Sequence, residues 1–430
     1  MIHTYMTEDF LQFIWKYGLF ERSGMVADTG EIIQVTGLGE HNTDSGPDFL
    51  NARIKIGDTT WAGNVEIHLQ STDWINHKHQ SDKAYDNVIL HVVYHYNQPV
   101  IRNSGEVLPT VELKFDNALY GNYCSMVSQK KGLPCANKLK TIDPLIIDVW
   151  INSLVIERLQ QKTQHISGLL SFYKNNWEEV FYIILARTFG FGLNAVPFEL
   201  MARSIPYAQL ARHRDNLKQM EALIIGQAGF LDEAVLFGSY YSELQSEYIH
   251  LKNKYNLKPV DRQLWKFLRL RPVNFPTIRL AQFSALLQKS EGIFSKIMSC
   301  NDARELNAVL NISASEYWNT HYSFDSPSPH SVKRLGIDAI HILIINAVVP
   351  FLFIYGRMNG NEILKDRALS LLNCIPAEHN KIVNRWEKLG FSMKSAFDTQ
   401  GILQLVNTYC NKKRCLSCSI GTRIIQSSEV

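Results

Sequence analysis

The sequence predicts an α+β protein, a small α/β module followed by a large all-helical region, and three observations carry that expectation. Strand-like runs with β-branched or alternating composition are confined to residues 31–115, and from Asp143 onward the apolar residues recur every 3.6 positions. The chain has 430 residues, and single hydrophobic cores stop growing at roughly 250 residues. More than one domain follows, divided here into residues 1–135 and 136–430.

The elements can be taken in order. Glu8 to Tyr17 (EDFLQFIWKY) spaces Phe10, Leu11, Phe13 and Ile14 for one face of a helix, with Thr7 as its N-cap. A β-branched run, EIIQV, then gives way to Gly37, Gly39, Gly46 and Pro47, so a strand enters a loop. Leu50 to Ile56 alternates as a strand, Gly57-Asp58 turns, and Thr59 to Leu69 returns, which makes a hairpin. A polar connection (STDWINHKHQSDKAYDN) leads to the buried strand VILHVVYHY, and a pair of edge strands is expected on either side of Gly105. Beyond Asp143, four successive amphipathic helices lead to a Pro-rich segment, RLRPVNFPTIRLAQFSALL, and a second helical group reaches about Cys410.

Composition narrows the function classes. An apolar share of 46% and a charged share of 20% are those of a folded chain, and a net charge of +3 gives no support to bulk nucleic-acid binding. The longest apolar run, Ile337 to Tyr355, is interrupted by Asp338, His341, Asn346 and Pro350, so a buried helix is expected there and no membrane span. The N-terminal segment lacks the ordered regions of a signal peptide, and seven cysteines make an odd number. Both features point to a reducing cytoplasm.

Chemistry concentrates between Ser45 and His95, where Asp48, Glu66 and five histidines fall within about fifty residues. Side chains alternate across a strand, so Glu66 and His68 share one face while Val65 and Ile67 take the other. His77-x-His79, beside Asp73, has the spacing of a small metal-ligand cluster, and His91 lies on a strand expected to neighbour that of Glu66. At the other end, Cys410-x4-Cys415-x2-Cys418 sets three thiols within nine residues, enough for most of a zinc site or one side of an iron–sulfur cluster. Cys135, Cys374 and His379 are the candidates for a fourth ligand, and Cys135 would tie the end of the α/β module to the tail. Basic residues between Gln263 and Arg279, interleaved with Trp265 and Phe267, fit either a charged helix face or a surface that follows a phosphate backbone.

A turn-borne Asp48 followed across a hairpin by Glu66-x-His68 resembles the PD-(D/E)XK, or restriction-endonuclease-like, nucleases. The resemblance implies that Asp48 and Glu66 bind Mg²⁺ or Mn²⁺, and that the residue at position 68 helps position the attacking water. His68 stands where that superfamily usually has lysine, and an imidazole favours Mn²⁺ or Zn²⁺ over Mg²⁺. Some of those nucleases staple their fold with one distant cysteine and a C-terminal triplet around a 4Fe–4S cluster. That scheme resembles Cys135 with Cys410, Cys415 and Cys418, although the spacing here differs. With GPDF, WAGNVEIH, DWINHKH, YDNVILHVV and YCNKKRCLSCSIG in order, the chain as a whole is similar to the bacterial family of domain of unknown function 2851.

Two expectations follow. In one, Asp48, Glu66 and His68 hydrolyse nucleic-acid phosphodiester bonds with a divalent cation, and His77 and His79 add metal ligands. In the other, the chain is a non-catalytic nucleic-acid or protein binding module on a degenerate nuclease fold. In both, the cysteines hold structural zinc or an iron–sulfur cluster.

Overall fold

A computed structural model describes residues 6–102, 104–129, 132–232, 238–324 and 326–427. The chain forms two compact units, one from the N-terminal residues through Trp150 together with the segment from Leu405 onward, the other Ile151–Gln404. A division at residue 135 and this one differ in where the C-terminal cysteines are counted: here they belong with the α/β module.

In the first unit, helix α1 (Glu8–Lys16) is opened by Thr7, whose side chain accepts from the Phe10 N–H. Its face of Phe10, Leu11, Phe13, Ile14 and Trp15 is buried, and each such side chain contributes about 1.5–3 kcal/mol of burial. The sheet comprises β1 (Ile33–Gly37), β2 (Glu40–His41), β3 (Phe49–Ile56), β4 (Thr59–Gln70), β5 (Val88–His95) and β6 (Thr110–Glu112). Its order is β1-β3-β4-β5-β6, with β2 also paired to β3. The β1–β3 and β3–β4 pairs are antiparallel, whereas β4–β5 and β5–β6 are parallel.

Parallel neighbours need a crossover, supplied between β4 and β5 by helix α2 (Asp73–Asn76) and two short 3-10 turns. The edge differs from expectation. Among the described residues around Gly105 (φ +86°) an isolated Ile101–Val107 bridge forms in place of two strands, and the paired edge strand is β6. Helix α3 (Asn117–Val127) ties the C-terminal segment to the module: Asn122 Nδ2 donates to the carbonyls of Ile425 (3.3 Å) and Ser427 (3.1 Å).

Among its described residues the second unit's regular structure is helical apart from two short strands, His321–Ser323 and Ser326–Pro327. Its core includes Phe181, Tyr182, Phe283, Trp318 and Phe351, all at most 1% exposed. The expected apolar helix runs Ile337–Met358 with a π-helical stretch at Ile344–Val348. By length and composition it is the one described helix capable of crossing a membrane, yet 67% of its most apolar window is buried inside the protein.

Candidate metal centre

Glu66 and His68, two residues apart on β4, face the same side of the sheet as the alternation requires, and His68 Nε2 lies 3.5 Å from Glu66 Oε1. Parallel pairing places His91 of β5 opposite Glu66, and His91 Nε2 meets His68 Nδ1 at 2.8 Å. His91 Nδ1 in turn faces Thr110 Oγ1 of β6 at 3.5 Å. A row of three strands thus supplies Glu66 and His68, then His91, then Thr110.

The crossover closes the site from above. His77 ends α2, and Lys78 adopts a left-handed conformation (φ +63°) that turns the chain between His77 and His79. Such a conformation is uncommon away from glycine. Both rings thereby converge on β4: His77 Nδ1 lies 3.2 Å from His68 Nε2, and His79 Nε2 lies 3.4 Å from Glu66 Oε1. Among the described residues, His68, His77 and His79 form the one group whose possible ligand atoms all lie within 4.8 Å of one another. His79 Nε2 is buried and makes no hydrogen bond. Tyr85 stacks on the His79 ring at 3.8 Å, and Trp74 packs edge-on against it at 5.4 Å, so the imidazole is held in place by aromatic walls.

Asp48 arrives from the Gly46-Pro47 turn at the start of β3, next to a bulge between Phe49 and Ala52 where Asn51 takes φ +57°. Bulges recur where a side chain must be re-aimed. The Asp48 N–H donates to Glu66 Oε2 (3.0 Å), while its carboxylate accepts from the Ile67 N–H (3.0 Å) and from Gln12 Nε2 (2.8 Å). Asp48 and Glu66 therefore adjoin, as the sequence predicts. Gln12 was not among the expected site residues. The signal that would have found it is the polar pair Glu8 and Gln12, one helical turn apart on α1.

Electrostatics set the protonation states. Burial first, then the Asp48 charge, pushes the Glu66 carboxyl up to about 9, so without a cation it is protonated at neutral pH. Burial likewise raises Asp48 to about 6 against the pull of the Ile67 and Gln12 donors. Burial, followed by its imidazole neighbours His91, His79 and His77, drives His68 down to about 2. Burial and then His77 lower His79 to about 4, and burial and then His79 lower His91 to about 3. Neutral imidazoles are the form that ligates a metal. The imidazoles of His68, His77 and His79 beside a carboxylate, with one buried nitrogen lacking any hydrogen bond, fit a first-row divalent ion.

A profile described as "Protein of unknown function (DUF2851)" matches residues 8–381. The chain belongs to this family. No curated protein matches it, and no solved structure does. In this DUF2851 chain the match covers α1, the whole sheet and every residue of the candidate site, and it ends before Cys410.

The C-terminal cysteines also belong to the first unit. Cys135, Cys410, Cys415 and Cys418 lie within electrostatic range of one another, and burial followed by the neighbouring sulfurs raises Cys135 to about 12 and Cys415 to about 11. Cys418 is the N-cap residue of the helix Ser419–Gln426, and burial raises its thiol against the pull of the backbone N–H groups of Gly421 and Ile420. Gly421 is required there, because a Cβ would come within 2.3 Å of the Cys415 carbonyl oxygen. Of the three candidates for a fourth ligand, Cys135 lies within electrostatic range of the triplet's thiols. Cys374 is exposed and, like His379, belongs to the second unit.

Proposed function

We propose that this DUF2851 protein is a metal-dependent, nuclease-like hydrolase that cleaves nucleic-acid phosphodiester bonds at the centre formed by Asp48, Glu66 and His68. The observation that carries the reading is the meeting of Glu66 with His68, His77 and His79 beside Asp48. The chain order of helix α1, strands β1, β3 and β4, helix α2 and strand β5 supports the PD-(D/E)XK resemblance. Glu66, His68, His77 and His79 would hold the cation, Mn²⁺ or Zn²⁺ in preference to Mg²⁺ because nitrogen ligands dominate. When bound, it would polarise a phosphodiester and lower the pKa of a water.

The chain's own residues divide the remaining work. His68, neutral and locked between His91 and His77, orients and does not deprotonate. Gln12 and the Ile67 N–H fix the Asp48 carboxylate. Cys135, Cys410, Cys415 and Cys418 would hold structural zinc or a 4Fe–4S cluster, with the thiols kept reduced in the cytoplasm.

One observation favours the second reading, a non-catalytic binding module: both Asp48 carboxylate oxygens already accept hydrogen bonds from the protein. Labelled single- and double-stranded DNA and RNA, incubated with Mn²⁺, Zn²⁺ or Mg²⁺, decide between them. Metal-dependent cutting that disappears in Asp48→Asn and Glu66→Gln is expected. A folded, metal-loaded protein that cuts none of these substrates leaves the binding module.

A further inference from the structure

The second unit contains a cavity of 510 Å³ built around Arg279. Arg279 is only 7% exposed, on the helix Pro276–Lys289. Its Nη1 donates to Gln282 Oε1 (2.8 Å), its Nη2 donates to Asn274 Oδ1 (2.6 Å), and its guanidinium lies 4.3 Å from the centroid of the Phe191 ring. These partners are neutral amides and an aromatic face. The Nε–H is buried without a hydrogen-bond partner. Burial alone lowers its pKa to about 10, and no carboxylate offsets that shift. A buried cation is costly unless it is paired, so this one is set up for an anion that arrives from outside.

The surroundings agree. Arg271 and Arg334 line the same cavity, and Asp338 is the one carboxylate among the described lining residues. The N-termini of two helices open there. Pro276–Lys289 is preceded by Phe275, and Ile337–Met358 by Gly336, neither of which supplies a side-chain cap. The positive end of a helix dipole favours negative charge, and on Ile337–Met358 Asp338 already occupies the first turn.

We propose that this cavity binds the phosphate group of a ligand, with Arg279 as the buried anchor and Arg271 and Arg334 at its mouth. A guanidinium fork matches phosphate oxygens in pairs. The Gln263–Arg279 stretch, ambiguous in the sequence, thereby gains a role. The site belongs to the second unit, and its argument does not use the nuclease reading.

The full chain is titrated with inorganic phosphate, with a nucleoside 5′-monophosphate and with a labelled single-stranded oligonucleotide, followed by calorimetry and thermal unfolding. Acetate at equal ionic strength serves as the control. Phosphate is expected to raise the unfolding midpoint where acetate does not, and Arg279→Gln and Arg334→Gln are expected to weaken it by about tenfold or more. Arg334 is exposed, so its variant decides the matter should Arg279→Gln fail to fold. Competition by the oligonucleotide assigns the phosphate to a nucleic-acid backbone, whereas competition by the monophosphate alone assigns it to a small ligand. Phosphate binding that is absent, or equal in the parent and the folded variants, overturns the site. No cleavage is measured, so that failure is distinct from failure of the nuclease reading.

Discussion

His68 Nδ1 and His91 Nε2 lie 2.8 Å apart on adjacent parallel strands, so one of them must carry the proton between them. Where His68 offers its Nε2 lone pair to a cation, its proton resides on Nδ1 and His68 donates to His91. The His91 proton then sits on Nδ1, towards Thr110 Oγ1. On the proposed function, His91 would be a positioning residue that fixes the tautomer of His68.

Replacement of His91 by leucine keeps apolar volume but removes that acceptor. Metal affinity at the centre is expected to fall about 10–100-fold, as for other partners of ligating histidines, with the bound stoichiometry unchanged. Chelator competition measures it, and an affinity equal to the parent's would contradict the tautomer argument.

Glu66 gives the metal-free protein a pH-dependent stability of definite sign. Its folded pKa is raised from 4.5 to about 9, so between those values the native state keeps a proton that the unfolded chain has released. Stability from this group is therefore complete below about pH 4.5 and is lost as pH rises towards 9. Asp48, raised from 3.8 to about 6, adds the same sign in a lower window. Histidines with lowered pKa values act oppositely, but only below their ordinary value of 6.5. Denaturant midpoints compared between parent and Glu66→Gln from pH 6.5 to 9 isolate the Glu66 contribution: the parent should lose stability relative to the variant. Binding of Mn²⁺ or Zn²⁺ at pH 7 should release about one proton from this carboxyl, read by calorimetry in two buffers of different ionisation enthalpy.

The cysteine cluster makes a prediction about composition. Cys135→Ser should strip metal or iron–sulfur content from the purified protein, while Cys374→Ser should retain it. Gly421→Ala should act like the first, because its Cβ would strike the Cys415 carbonyl at 2.3 Å. Overpacking of this kind costs about 1–3 kcal/mol. Metal analysis beside a thermal melt separates loss of the site from loss of the fold, and equal metal content in all three variants would remove the cluster.

Much of this protein was legible in its residues. The spacing of Phe10, Leu11, Phe13 and Ile14 set α1, the two-residue alternation put Glu66 and His68 on one face, and the turn at Gly57-Asp58 paired β3 with β4. Those features depend on neighbours in sequence, where the period of a helix or a strand decides which side chains share a face. Tertiary structure decided the rest. The parallel register brought His91 against His68, the left-handed Lys78 swung His77 and His79 over β4, and the packing of α1 delivered Gln12 to Asp48. The two edge strands expected around Gly105 became one bridge and β6, and Cys135 came within electrostatic range of the C-terminal thiols. Each of these joins residues distant in the chain, and such pairings are set by register and by the sum of many weak contacts across the core, which no local pattern records.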